Sequence, residues 1–196
     1  MRTKVFGIGF NKTGTTSLAE ALKILGYRHK SFDDALLEAY SSGDTQAVID
    51  SAVEYDSFED WPWPLAYREL DEAFPTAKFI LTTRTDSGVW FESLRKHAVR
   101  TGPTQARHLV FGDSQVGDSN KERLIQMYQE HNQGVRAHFG ARSQQLLELC
   151  WESGHGWEEL CEFLNEPVPG ARFPWRNKSP ERKTSTRRRR WFGRIR

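Results

Sequence analysis

The N-terminal stretch from Lys4 to Leu25 places the strongest constraint on how this chain can fold. Residues 4–10 form a short apolar run rich in β-forming residues, and apolar residues then recur at helical spacing from Thr15 to Leu25. The segment between them contains Gly9, Gly14 and several hydroxyl residues. A strand, a glycine loop and a helix direct successive backbone N–H groups and a helix N-terminus at one point. The sequence therefore predicts an anion-binding site at this loop.

The loop has the spacing of a nucleotide-binding motif but lacks its key residue. Gly9-Phe-Asn-Lys-Thr-Gly14 matches the G-x-x-x-x-G of a Walker A loop, yet Thr15 stands where that motif has lysine. The loop's lysine, Lys12, lies inside the loop instead and also occupies the place of the third glycine of G-x-G-x-x-G. These departures argue against an ordinary ATP or GTP site and against a dinucleotide site.

An internal lysine followed by glycine and paired threonines resembles a different loop. The segment Lys12-Thr-Gly-Thr-Thr-Ser-Leu18 is similar to the 5′-phosphosulfate loop of the sulfotransferases that use 3′-phosphoadenosine 5′-phosphosulfate (PAPS). The resemblance implies that six residues bind the nucleotide: Lys12, Thr13, Gly14, Thr15, Thr16 and Ser17. It also implies that Lys12 is catalytic and stabilises the charge that develops on the leaving nucleotide.

A second motif extends this resemblance. Phe79-Ile-Leu-Thr-Thr-Arg84 reads as a strand that ends in arginine, and a guanidinium is well suited to a bidentate phosphate contact. In the family such an arginine and a serine on the next helix bind the 3′-phosphate of PAPS. Ser93 lies one residue further from Arg84 than is usual in the family, so Ser87 remains an alternative.

Two further segments look like a branch of the family found in bacteria and eukaryotes. They are Asp60-Trp-Pro62 and Gly156-Trp-Glu-Glu-Leu-Cys-Glu-Phe-Leu164. The family transfers a sulfuryl group in line to a hydroxyl or amine, and it needs a base to remove the acceptor's proton. Asp60 is the first candidate and Glu59 the second, provided that burial raises the pKa of the carboxyl group. His97 and His131 are more distant candidates.

No metal is expected in the reaction. The sulfonate carries a single charge, so a bridging Mg²⁺ is less necessary than for ATP, and the six histidines form neither an H-E-x-x-H motif nor a close pair. The expected co-substrate is therefore PAPS alone, with 3′-phosphoadenosine 5′-phosphate (PAP) as the product.

The charge distribution divides the chain into two parts. Residues 182–196 carry eight Arg or Lys and no acidic residue, so the formal net charge of +2 leaves −6 for residues 1–181. We predict a catalytic domain over 1–181 and a basic tail over 182–196. The tail could contact anionic surfaces, although a solvated tail is the simpler interpretation, and no specific nucleic-acid partner is expected.

Composition and the N-terminal sequence lead us to expect a cytoplasmic protein. There is no apolar run of about 20 residues and no signal peptide, and two isolated cysteines, Cys150 and Cys161, are interpreted as buried thiols.

Strand-like and helix-like segments alternate along the chain. This pattern predicts an α/β fold of the P-loop type, with a mainly parallel sheet and helices on both faces. Strands are expected in 4–10, 27–30, 55–58, 77–83 and 144–149, and residues 100–120 are expected to be irregular. Arg107 and His108 within that irregular segment are expected to help shape the acceptor pocket.

Three functions remain open at this point. The first is a PAPS-dependent sulfotransferase with a small-molecule or glycan acceptor. The second is a P-loop kinase of a small molecule, against which Thr15 argues. The third is a nucleotide- or polyanion-binding module without catalysis. The sequence fixes neither the acceptor nor the oligomeric state.

Overall fold

A computed structural model describes residues 2–140, 142 and 144–175 of the chain. The predicted boundary at residue 181 and the basic tail lie outside these residues. None of the helices described within them has the length and hydropathy needed to span a membrane. Cys150 and Cys161 are both free thiols and both buried, as the sequence predicts.

Five parallel strands form one sheet in the order β2-β3-β1-β4-β5. The strands are β1 (Val5–Gly7), β2 (His29–Lys30), β3 (Ser57–Phe58), β4 (Lys78–Thr82) and β5 (Leu146–Leu149). Each lies within its predicted segment. The central strand β1 therefore has β3 on one side and β4 on the other, and the segments that follow these three strands lie side by side.

Eight α-helices occur within the described residues. They are α1 (Thr15–Ile24), α2 (Asp34–Ser41), α3 (Thr45–Val53), α4 (Tyr67–Ala73), α5 (Ser87–Thr101), α6 (Gln105–Phe111), α7 (Lys121–Phe139) and α8 (Trp157–Leu164). Short 3₁₀ turns cover Asp118–Asn120 and Trp151–Ser153.

The two faces of the sheet are covered by different helices because successive strand residues point to opposite sides. Phe6 and Phe79 pack with α3, α4 and α7, whereas Val5 and Ile80 pack with α1 and α8. The α/β fold with a parallel sheet and helices on both faces is thus confirmed. A third apolar cluster joins Phe10 to side chains of α2, α5, α6 and α7 near the loop that follows β1.

The prediction of an irregular segment at 100–120 was wrong in part. Helix α6 occupies Gln105–Phe111, with the hydroxyl of Thr104 accepting the N–H of Arg107 at its start and Gly112 in the left-handed region at its end. Burial of Val110 and Phe111 in the third cluster stabilises this helix. The polar, glycine-containing sequence around α6 concealed a helix whose stability depends on tertiary packing.

Candidate active site

A cavity of about 510 Å³ lies at the carboxyl ends of the central strands. Its walls come from the loop after β1, the turn after β3, the end of β4, one face of α5 and the segment after β5. Ligands of open parallel sheets bind at this edge. The first-choice site residues predicted from the sequence all line this cavity: Lys12, Thr13, Gly14, Thr15, Thr16, Ser17, Asp60, Arg84 and Ser93.

The loop after β1 lies against β4. A methyl group at Gly9 would come within 2.3 Å of the backbone oxygen of Thr82, so this close approach requires glycine. Beyond it, the Thr13 hydroxyl lies 2.6 Å from both the backbone oxygen of Phe10 and the hydroxyl of Thr82. The side chain of Thr13 is therefore used to hold the loop, which leaves its backbone N–H for a ligand.

Helix α1 begins inside the cavity without a compensating acidic group in its first turn. Its N-cap is Gly14, which provides no side-chain hydrogen bond, and no acidic residue occurs in the first turn. The first N–H groups of a helix have no partner within the helix, and they carry the positive end of its dipole. This end of α1 is therefore a suitable site for a phosphate.

Lys12 lies in the loop with a left-handed backbone, at φ 71°. Such a conformation costs a non-glycine residue about 1–3 kcal/mol, and residues held in this way concentrate at functional sites. Burial lowers the pKa of Lys12, as do the nearby Arg100 and Arg84, while Asp60 acts in the opposite direction. Cations that oppose one another's charge in one cavity favour binding of an anion.

Gly14 lies beneath the indole of Trp151, whose Nε1 donates to the Gly14 carbonyl at 3.1 Å. A methyl group at Gly14 would approach Cδ1 of Trp151 to 2.3 Å, and the backbone is in the left-handed region, at φ 95°. Trp151 thus forms part of the cavity wall next to the phosphate loop.

This contact predicts a stability difference between two glycine substitutions. Gly14→Ala should lower the free energy of unfolding by about 2–4 kcal/mol, because it adds a clash to an unfavourable φ. Gly43 has nearly the same φ, 94°, but nothing lies within 4 Å of a methyl group there. Gly43→Ala should therefore lower the free energy of unfolding by only about 1–2 kcal/mol, which is the cost of the left-handed backbone alone. Denaturant unfolding measures both, and equal losses would contradict the packing of Trp151 on Gly14.

Arg84 follows β4 and lies against the loop. One terminal nitrogen is 2.8 Å from the carboxylate of Glu152, and the other donates to the Lys12 carbonyl at 3.4 Å. The Nε–H of Arg84 is buried and has no hydrogen-bond partner within the described part of the chain. A buried donor without a partner is costly, so it indicates that a ligand completes the site. Arg84 fits the role of a phosphate ligand.

The two serine alternatives lie in different places. Ser93 lines the cavity together with Arg84, whereas Ser87 lies in a neighbouring depression, where it accepts from the side chain of Gln129 at 3.2 Å. On α5, Ser93 is followed at helical spacing by His97 and Arg100, and all three line the cavity. The geometry therefore favours Ser93 over Ser87.

Asp60 occupies the turn after β3 and lines the same cavity. Its backbone is also left-handed, at φ 65°, and its carboxylate accepts the N–H of Trp61 at 3.0 Å. Burial raises the pKa of Asp60 to about 7, with a further contribution from the charge of Glu59; the Trp61 N–H and Lys12 act in the opposite direction. A pKa near neutral suits a general base. Asp60 does not cap a helix, because α4 begins only at Tyr67.

Glu59, the second candidate for the base, is held inside the protein. It is buried, its carboxylate accepts the hydroxyl of Ser31, and His29 Nε2 lies 3.7 Å away. Burial would raise the pKa of Glu59, but the neighbouring His29, Ser31 and Thr15 side chains outweigh it and lower the pKa. Glu59 is thus an ionised internal group whose charge acts on Asp60.

The two candidate histidines lie in different places: His131 is inside the protein, and His97 lines the cavity. His131 is directed to the backbone oxygen of Ile8, with 2.7 Å between Nε2 and that oxygen, and its ring stacks on Phe10. Burial lowers its pKa to about 4, so it is a neutral structural residue under the loop. His97 lines the cavity, and its Nδ1 accepts from Arg100 at 3.0 Å. Burial, followed by Lys12, Arg100 and Arg107, lowers the pKa of His97 to about 4.

Sequence reasoning missed six residues that line the cavity: Asn11, Thr83, Arg100, Trp151, Glu152 and Trp175. Arg100 follows Ser93 by two helical turns, and this spacing could have revealed it. Trp151 and Glu152 follow the last strand, where the topology places a further ligand-binding loop. No motif marks Trp175, which follows the last predicted helix.

Comparison with known proteins identifies the family to which the chain belongs. A family model described as "Sulfotransferase domain" matches residues 4–115 and 104–182. The curated Aspergillus versicolor protein named Ava biosynthesis cluster protein M is 28% identical over 214 aligned positions, which cover 87% of this chain and 79% of that protein. The family match spans most of the chain and includes the loop after β1, the turn after β3 and the end of β4. The chain therefore belongs to the sulfotransferase family.

Proposed function

We propose that this sulfotransferase takes its sulfuryl group from PAPS and transfers it in line to a hydroxyl or amine, without a metal ion. The observation that carries the proposal is the meeting of two anion sites in one cavity. One is the start of α1 with its loop, and the other is Arg84 with its unpartnered buried Nε–H. PAPS carries two anionic groups, a 5′-phosphosulfate and a 3′-phosphate, one for each site. Three cations line the cavity, Lys12, Arg84 and Arg100, and they match the negative charge of these groups.

In this proposal, each residue acts at a stated point of the donor. The N–H groups of residues 13–16 bind the 5′-phosphate, and Arg84 with Ser93 binds the 3′-phosphate. Binding of the 3′-phosphate requires Arg84 to exchange its ion pair with Glu152 for the ligand.

The chemical step relies on positioning and charge stabilisation. Asp60 accepts the proton of the acceptor hydroxyl as the acceptor oxygen bonds to sulfur. Lys12 donates to the bridging oxygen, which receives the electron pair of the breaking S–O bond. Asp60, with a pKa of about 7, supplies the base, and Lys12 in the same cavity supplies the cation that stabilises the leaving oxygen.

The proposal assigns this catalytic function to residues 1–181. The family match, which ends at residue 182, supports that boundary. The basic segment 182–196 is then an appendage whose deletion should leave nucleotide binding intact.

Calorimetric titration of the full chain tests the proposal. We expect PAP to bind equally well with and without EDTA, and ADP to bind about 100-fold more weakly, because charge-assisted hydrogen bonds to the 3′-phosphate contribute about 1.5–3 kcal/mol each. ATP with Mg²⁺ should bind no better than ADP. Tight binding of ATP that requires Mg²⁺, together with weak binding of PAP, would identify a kinase instead.

A further inference from the structure

A second cavity of about 360 Å³ adjoins the donor cavity. The two share three wall residues, Asn11, Asp60 and His97, so they meet where the proposed base lies. The remaining walls come from the start of α2, the turn after β3 and helix α6. Its volume is at the lower end of the range of roughly 300–1,000 Å³ found for small-molecule sites.

We infer that this second cavity binds the acceptor, and that the acceptor is a compact aromatic hydroxyl compound without an anionic group. The inference rests on the proposed function, because it takes Asp60 as the base and the first cavity as the donor site. It goes further in excluding extended glycans and anionic acceptors.

Aromatic rings form the walls of this cavity. Trp61 and Phe111 are almost fully buried and pack edge to face, with ring centroids 5.9 Å apart. Phe10 packs edge to face with both rings, its centroid 5.0 Å from that of Trp61 and 6.0 Å from that of Phe111. Because both wall rings are fixed by packing, a flat apolar ligand meets a preformed surface. Phe32 lies at the mouth and is 41% exposed, so it is available to cover a bound ring.

The charges of the cavity select against anions. Two carboxylates line it, Asp34 and Asp60. Arg107 also lines it, and three of its N–H groups donate to internal acceptors: the carbonyl oxygens of Gly102 and Ser114, and the hydroxyl of Thr101. Arg107 thus joins the segments on either side of α6. Because these acceptors are neutral, Arg107 keeps its charge, but one arginine offsets only one of the two carboxylates that line the cavity.

The basic residues that line the donor cavity do not line the second cavity. Within the described part of the chain, Lys12, Arg84 and Arg100 contribute to the wall of the first cavity and not to that of the second. A nucleotide phosphate therefore meets three cations in the wall of the first cavity, whereas an anionic acceptor meets one arginine and two carboxylates in the wall of the second. Like charges brought together without compensation cost affinity.

Polar groups at the junction fix the hydroxyl of the acceptor. The side-chain oxygen of Asn11 is buried and has no partner within the described part of the chain. His97 accepts from Arg100 through Nδ1, so the neutral ring carries its proton on Nε2. As the acceptor oxygen bonds to sulfur, its proton passes to Asp60 and the electron pair of the S–O bond leaves with the 5′-phosphate. Atoms and charges then balance without another reactant.

A set of probes on one ring system tests the inference. Calorimetry would compare 2-naphthol, 6-(aminomethyl)-2-naphthol, 6-hydroxy-2-naphthoate and glucosamine, each added to the full chain with PAP and without it. We expect 2-naphthol and its aminomethyl derivative to bind at least tenfold more tightly than the carboxylate derivative, and glucosamine to show no binding. Tighter binding of glucosamine or of the carboxylate derivative would overturn the inference.

Substitutions of two exposed residues of this cavity, Phe32 and Asp34, locate the site without disturbing the core, and each has a control. Phe32→Ala should weaken 2-naphthol binding at least fivefold, whereas Val99→Ala, which removes an exposed side chain on α5, should leave it unchanged. Asp34→Asn should reduce the discrimination against 6-hydroxy-2-naphthoate, and Glu38→Gln on the same helix should not. No change in Phe32→Ala would place the acceptor elsewhere.

The two proposals can fail separately. If PAP does not bind while the naphthol series behaves as expected, the proposed donor is wrong and the aromatic site remains. If PAP binds but the order of the naphthol series is reversed, the inference about the acceptor is wrong and the donor site remains.

Discussion

Replacing Lys12 with methionine should lower the rate of PAPS turnover by about 10²–10³-fold while changing the affinity for PAP by less than tenfold. Loss of one donor to a developing negative charge has effects of this size on catalysis. The charge on the bridging oxygen develops only during transfer, so binding of the product nucleotide depends on it little. Methionine keeps the length of the side chain and the same left-handed backbone strain at φ 71°.

Lys23→Met is the matched control for this substitution. Lys23 lies on α1 and is exposed, and its ammonium is 3.7 Å from Glu20. Its replacement should leave both turnover and PAP affinity unchanged. Turnover is followed by chromatography as PAP released from PAPS at saturating donor, with 2-naphthol present. Equal losses of affinity and rate in Lys12→Met would show that Lys12 acts only in binding the donor.

Replacing Asp60 with asparagine should lower turnover by about 10²–10⁴-fold, the usual contribution of a general base. Asparagine tolerates the left-handed backbone at this position, φ 65°, and can still accept the N–H of Trp61. In the wild-type protein, the deprotonated carboxylate is the active form. Its pKa of about 7 therefore predicts a rate that rises with pH, with a midpoint near 7.

The same substitution should stabilise the protein at alkaline pH. The pKa of Asp60 is raised from 3.8 to about 7 on folding, so the native state binds the proton more tightly than the unfolded state does. The contribution of Asp60 to the stability of the wild type therefore falls as the pH rises from about 4 to 7, and the asparagine variant lacks this loss. Thermal unfolding at pH 5 and pH 8 measures the difference. Asp50→Asn on α3, where Asp50 is exposed, serves as the control. A variant less stable than the wild type at pH 8 would contradict the raised pKa.

The residues of the donor site could be predicted because each follows a strand with a recognisable pattern. Lys12 comes after β1, Asp60 after β3 and Arg84 after β4. That these three strands are neighbours depends on pairings between distant parts of the chain, such as Gly7 with Ile80. Local patterns carry little information about such pairings, so the sequence suggests the residues without showing that they meet.

The electrostatics of the site could not be predicted in the same way. The pKa of an aspartate depends on its burial and its neighbours, and Glu59, which contributes to the raised pKa of Asp60, is oriented by Ser31 from another strand end. Arg100 was missed although its position on α5 is regular, because its function depends on which face of that helix meets the cavity. Trp151 follows β5 in a short turn without a motif, and only the folded chain brings it onto Gly14.

Helix α6 shows why local composition can mislead. Thr104 and Gly112 are good signals for the start and the end of a helix. The segment 100–120 as a whole is rich in Gly, Asp, Ser and Gln, and this composition led to the prediction of an irregular structure. The seven residues between the caps are too few to form a stable helix alone, so contacts of Phe111 with Trp61 and Trp90 are needed.

The measurement that tests the central claim most directly is a comparison of PAP with adenosine 5′-phosphate, two ligands that differ only in the 3′-phosphate. Calorimetry on the wild-type chain and on Arg84→Ala would give four dissociation constants, with Arg136→Ala as a control in which an exposed arginine paired with Glu148 is removed. We expect the wild type and Arg136→Ala to bind PAP about 100-fold more tightly than adenosine 5′-phosphate, and Arg84→Ala to bind the two within about threefold. If Arg84→Ala keeps the full preference for PAP, or if the wild type has none, Arg84 does not bind a 3′-phosphate and the proposed donor site is wrong.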